Sequence, residues 1–143
     1  MNLEMFDENQ RREIEAGQKS GVDVSVYANL QYDYGQMREI RGGLEEGLDV
    51  SLYADPQYDY LQMMLIRKGL ETGLDASFYA DPKYNYEQMR EIRLGLQEGV
   101  DVSVYADLKY DFFQMRDIRK DLKSQQSRPA VQLNKPMGKG LER

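Results

Sequence analysis

The 143-residue chain has no cysteine, no histidine and no tryptophan, and only 4 prolines. Without thiols or imidazoles, disulfides, thiol nucleophiles, thiolate or imidazole metal sites and histidine-based triads are all excluded. Paired carboxylates or Tyr and Arg chemistry would have to carry any catalysis. Nothing singles out one carboxylate pair from its periodic copies, so the expectation is a protein that is not an enzyme and uses no cofactor or metal. Long apolar runs are missing too: no stretch approaches the ~18 uncharged apolar residues that a membrane span needs. The opening MNLEMFDENQRR lacks the basic-then-apolar order of a secretory signal. These absences point to a soluble, cytoplasmic protein.

What is present is charge, unevenly placed. Residues 1–123 hold 15 Lys and Arg against 24 Asp and Glu, whereas residues 124–143 hold 4 against 1. Binding to nucleic acid is built on neutralising phosphates with clustered Lys and Arg. An acidic body therefore implies no direct nucleic-acid binding.

Self-similarity dominates the chain. Taking YDYLQMMLIRKGLETGLDASFYADP from Tyr58 as the reference unit, related text recurs every 26 residues. Gln10, Gln36, Gln62, Gln88 and Gln114 fall in step, as do Ile14, Ile40, Ile66, Ile92 and Ile118, and all 11 tyrosines lie in three such ladders. Asp55-Pro56 and Asp81-Pro82 read as helix starts, with a capping carboxylate followed by proline at the first helical position. Met63, Ile66 and Leu70, repeated as Met89, Ile92 and Leu96, give the 3–4 spacing of a buried stripe. Gly73 and Gly99 are placed to end the helix in the left-handed conformation, with Leu74 and Val100 packing behind. A helix of about 16 residues, roughly 24 Å long, follows from these limits. The text after it, such as Leu48-Asp49-Val50-Ser51-Leu52-Tyr53-Ala54, reads as a capped short helical turn.

The fold class is therefore all-α: an α-solenoid of 26-residue helix-turn-short-helix repeats with five long helices, its handedness left open. Residues 1–123 form the repeat domain of four units plus a terminal helix. Because a unit this small cannot bury its apolar face alone, neighbours must stack. The first helix reads as a cap, carrying Arg11, Glu15 and Gln18 where inner units have Met, Arg and Leu. At the far end Asp121 and Gln125 replace the periodic glycines, so the fifth helix is expected to run on towards Arg128-Pro129. Residues 124–143, basic and holding two prolines and two glycines, read as a flexible tail.

Recurring polar residues have two readings. Arg41, Arg67, Arg93 and Arg119, with Asp23, Asp49, Asp75 and Asp101, solve a problem that every unit shares, such as capping or bridging. Alternatively, Arg41, Arg67 and Arg93 with Tyr53 and Tyr79 line a groove that sequesters a small ligand such as a nucleotide. The tyrosines are expected half-buried, hydroxyls at the edge of the stack. Gly17, Gly43, Gly69 and Gly95, in mid-helix, suggest close helix approach.

Function is better sought where one unit departs from its siblings. The second unit has Leu61 where others carry Gly35, Glu87 and Phe113. It has Met64 in place of Arg12, Arg38, Arg90 and Arg116, and Leu65 in place of Glu13, Glu39, Glu91 and Asp117. Leu61, Met64 and Leu65 share a helix face at i, i+3 and i+4. An exposed apolar cluster replacing charges marks a partner site, a homo-oligomer contact or a face covered by the chain's own tail. Leu94 and Phe113 are weaker candidates of the same kind.

The text QMREIRGGLEEGLDVSLYADP, recurring as QMREIRLGLQEGVDVSVYADL, resembles a tandem repeat of phage and conjugative-element proteins from Gram-positive gut bacteria, found alone or beside antirestriction-type modules. The resemblance covers residues 3–122 and carries no catalytic residue. It implies a bacterial host cell and a mobile-element context, in which small acidic proteins often inhibit host defence. The expected function is a noncatalytic protein-binding scaffold, in its sharper form an inhibitor of a CRISPR or restriction complex.

Overall fold

The computed structural model describes residues 2–126. Five α-helices follow one another: α1 (Glu8–Ser20), α2 (Tyr34–Glu45), α3 (Tyr60–Glu71), α4 (Tyr86–Glu98) and α5 (Phe112–Gln126). Between them lie four 3-10 turns, Val24–Val26, Val50–Leu52, Ala76–Phe78 and Val102–Val104, and no strand occurs among the described residues. Each long helix packs on the next in chain order. The result is the expected all-helical repeat array.

The helices start four residues later than the prolines suggest. Asp55 and Asp81 instead close turns ahead of the helix, their carboxylates accepting from the N–H groups of Gln57 and Lys83, each at 2.9 Å. The N-cap is Asp59, paired with Gln62 in a reciprocal box: Gln62 N–H donates to the Asp59 carboxylate and Asp59 N–H to Gln62 Oε1, both at 2.8 Å. The same Asp/Asn-x-x-Gln box opens all five helices, at Asp7, Asp33, Asp59, Asn85 and Asp111. Satisfying two orphan N–H groups outweighs a favourable proline site. The inner helices are accordingly 12 or 13 residues long, about 18–20 Å.

Helix ends follow the sequence reading. Gly73 has φ +74°, and Leu74 N–H reaches back to the Gly69 carbonyl at 2.9 Å; Gly21, Gly47 and Gly99 are likewise left-handed. The next residues form the 3-10 turn, capped at Asp49 by hydrogen bonds from the N–H and hydroxyl of Ser51.

Two residue ladders hold the array together. Each unit's Gln, besides completing its box, donates its amide to a carbonyl of the following unit. Gln36 reaches Tyr58 and Gln62 reaches Tyr84, each at 2.6 Å; Gln10 reaches Tyr32 and Gln88 reaches Tyr110, each at 2.8 Å. Tyr27, Tyr53, Tyr79 and Tyr105 are not half-buried but have no exposed surface. Their hydroxyls donate inward, to the carbonyls of Glu13, Glu39, Leu65 and Glu91 at 2.6–2.7 Å. The mid-helix glycines exist for these rings: a methyl on Gly43 or Gly95 would strike the Tyr53 or Tyr105 hydroxyl. A tyrosine, not a neighbouring helix, makes the close approach. Met37, Met63, Met89 and Met115 join Ile14, Ile40, Ile66 and Ile92 in the fully buried core.

The ends differ. On α1, Glu15 and Gln18 face solvent, while Arg11 donates to the Phe6 carbonyl at 2.8 Å and Phe6 is buried. Helix α5 continues through Asp121 and Gln125, and Gln126 donates to the Gly99 carbonyl at 2.7 Å. Ser124–Gln126 thus extend α5; the rest of the tail, and the expected stop at Arg128-Pro129, lie outside the described residues. Among the described residues no helix is long and apolar enough to cross a membrane.

Candidate functional site

The arginine ladder is a set of clasps between consecutive helices. Arg41 Nε donates to Glu13 at 3.0 Å, Arg67 Nη1 to Glu39 at 3.1 Å and Arg119 Nε to Glu91 at 2.9 Å, each pair being 28 residues apart. A second carboxylate joins each: Glu45 on Arg41, Glu46 on Arg67 and Glu98 on Arg119. Glu71 adds a third to Arg67 at 3.3 Å. The contact between the two carboxyls pushes Glu71 above its ordinary pKa, against the pull of Arg67, and together with Arg67 holds Glu46 below its own.

Arg93 is the exception. Its counterpart 28 residues earlier is Leu65, the one 21 residues earlier is Thr72, and the i+4 residue is Gln97. All three carboxylate positions are empty of charge at once. Arg93 accordingly makes no ion pair among the described residues, and its Nε is buried without a hydrogen-bond partner. Arg116 also has a buried, unpartnered Nε, but it stands over the Phe113 ring at 5.0 Å and 3.9 Å from Asp117. The Thr72 hydroxyl is spent on the Lys68 carbonyl at 2.9 Å.

The expected apolar patch is therefore placed differently. Leu65 is only 2% exposed, because its ladder position is an inter-helix one; Glu39 and Glu91 are buried there as well, at 7% and 3%. The inference that charged siblings mean an exposed position fails where the charge is clasped by the next helix. Leu61, at 36%, is exposed and Met64 is half-buried, so these two remain at the surface. Leu94 is half-buried one unit on, and Phe113 is 53% exposed against Phe112, their ring centroids 4.1 Å apart.

The expected ligand groove is not formed. Tyr53 and Tyr79 have no exposed surface, and burial raises both hydroxyls far above the usual tyrosine range. Arg41 and Arg67 are engaged by glutamates, leaving Arg93 alone among the proposed groove arginines without a carboxylate partner among the described residues. Two shallow hollows lie at the surface. One of about 240 Å³ is lined by Asp33, Tyr34, Gly35, Arg38 and Tyr60, and one of about 210 Å³ by Glu39, Met64, Arg67, Lys68 and Glu71. Both fall below the ~300 Å³ at which small-molecule pockets begin. No group of metal-ligating side chains occurs among the described residues.

Leu61, Met64 and Lys68 sit at i, i+3 and i+7 positions of one α3 face, and the equivalents on α2 and α4 are Gly35, Arg38, Gly42 and Glu87, Arg90, Leu94. Arg38, Lys68 and Arg90 are exposed there. The open helix face is thus basic and partly apolar on an otherwise acidic protein. Sequence reasoning missed Arg38, Tyr34 and Tyr60 as surface features and the unclasped Arg93; reading each arginine against the residue 28 before it would have found the last. Comparison with family models, with curated proteins and with solved structures gives no match.

Proposed function

We propose that the chain is a noncatalytic repeat scaffold that binds a protein partner through the open helix face around α3. The observation that carries this reading is the break in periodicity at one place. Met64 and Leu65 replace charges in a single unit, with Leu61 on the same face, and the replacement leaves an apolar surface and an unclasped arginine. Scaffold positions of a repeat array recur while binding positions vary, and a surface that only stacked would have no reason to give up its clasp at one seam. Resemblance of the repeat to phage and conjugative-element proteins supplies the context: the partner proposed is a host defence complex of CRISPR or restriction type.

The experiment is a plasmid-interference assay in a Gram-positive host carrying an active CRISPR or restriction system. Expression of the chain is expected to raise transformation by a targeted plasmid. The pair Leu61→Glu, Met64→Arg, which gives α3 the charges α4 carries at these surface positions, is expected to remove that effect without altering helix content. An unchanged interference with the native chain, or full protection by the pair variant, contradicts the reading.

A further inference from the structure

At three of the four seams between long helices, the arginine of one helix is held by a carboxylate of the helix before, at 2.9–3.1 Å. At the α3–α4 seam the arginine remains and the carboxylate is gone, leaving a buried Nε without an acceptor. A buried guanidinium N–H with no partner is costly. Only the Nε is enclosed, so a carboxylate delivered from outside can pair with the guanidinium at its Nη groups. Lys68 holds the register place of Gly42, where an added Cβ would meet the Arg67 guanidinium, so by register it neighbours Arg93; it is exposed and makes no ion pair among the described residues, and it shares a hollow with Glu39 and Glu71. Leu61 and Met64 hold the places of Gly35 and Arg38, which line a hollow with Tyr60 of the next helix, so by register they present apolar surface towards α4.

We propose that the seam between α3 and α4 docks an acidic, apolar-studded protein segment. One of its carboxylates bonds the Arg93 Nη groups and supplies the charge that Glu13, Glu39 and Glu91 supply at the other seams, with Lys68 as a second cation. The segment's apolar side chains lie on Leu61 and Met64. The proposal rests on the protein-binding reading above and adds the chemistry of the partner. Carboxylate is favoured over nucleic-acid phosphate because carboxylates are what pair with the equivalent arginines at the chain's other seams. Charge-assisted bonds from a planar guanidinium fork to a carboxylate are strong and geometrically selective.

The test uses the full chain and three labelled probes, read by fluorescence anisotropy. The probes are a synthetic amphipathic helix with a leucine face bordered by glutamates, its twin with every glutamate changed to glutamine, and single-stranded oligothymidylate. The acidic helix is expected to bind about tenfold more tightly than its twin and to shift the Arg93 Nε–H resonance in the NMR spectrum. Arg93→Gln should remove the preference. Leu65→Glu should remove it as well, by supplying the carboxylate internally, while keeping the native helix content and melting no lower, so that lost binding is not lost folding. Equal binding of the twin, tighter binding of oligothymidylate, no binding of the acidic helix, or an undiminished preference in Leu65→Glu overturns the proposal. If Leu61→Glu, Met64→Arg weakens the twin while Arg93→Gln leaves the preference intact, the docking face stands and only the carboxylate chemistry fails.

Discussion

Between α2 and α3, Arg67 gathers Glu39, Glu46 and Glu71; one unit further along, between α3 and α4, Arg93 meets Leu65, Thr72 and Gln97. The stacking hydrogen bonds of the two seams are alike. Gln36 and Gln62 donate to tyrosine carbonyls of the following unit, and Tyr53 and Tyr79 bury their hydroxyls against carbonyls at the same 2.6 Å. The comparison separates two jobs within one repeat. Glutamine, tyrosine and glycine build the stack in every unit, whereas the Arg–Glu clasp can be given up, and the unit that gives it up also carries Met64 in place of a surface arginine, with Leu61 on the same face.

The largest expected effect acts on all seams together and tests the common part. An unfolded tyrosine ionises near 10, while burial raises Tyr27 to about 12 and Tyr53, Tyr79 and Tyr105 further. Their contribution is fully present below pH ~10 and is lost as pH rises through the folded values, by up to roughly 1.4 kcal/mol per pH unit for each ring. Urea midpoints that fall steeply above pH 10 are expected. A flat profile to pH 12 would show the rings not to be sealed.

Next in size is Gly95→Ala, which drives a methyl into the Tyr105 hydroxyl and Val102 and should cost about 3 kcal/mol in urea unfolding. Gly69→Ala is expected to cost less, because Ala76 stands where the other units have valine. Equal costs would mean that the tyrosine alone sets the fit. Glu91→Leu copies the third seam into the fourth; it should cost about 2 kcal/mol, tempered by Glu98 remaining on Arg119. Smallest is the contrast between Gln62→Ala, about 1 kcal/mol for its box and its bridge to Tyr84, and Gln114→Ala. Gln114 has a box but no described bridge, so its loss should be smaller still in the same titration.

Much of this architecture was legible in the sequence. The 26-residue period, the left-handed glycines and the Asp-capped turn follow from residue spacing, as does the capping character of Arg11, Glu15 and Gln18. Helix starts were misplaced because two aspartates per unit compete, and only the glutamine three residues on decides for Asp59 over Asp55. Leu65 was misread because a charge in a repeat can be buried when the adjacent unit clasps it, a relation of one period plus two residues that a comparison within register does not show. For the same reason Arg93 looked like every other ladder arginine. Its difference lies in Leu65 and Thr72, on another helix.

The central claim is that Arg93 retains the place of a clasp whose carboxylate is missing, and a double-mutant cycle between positions 65 and 93 tests it most directly. Urea unfolding should show Leu65→Glu stabilising the native chain by about 1 kcal/mol, with the gain absent or reversed when Arg93 is changed to glutamine. Destabilisation by Leu65→Glu in the native chain, or the same gain in both backgrounds, would contradict the account.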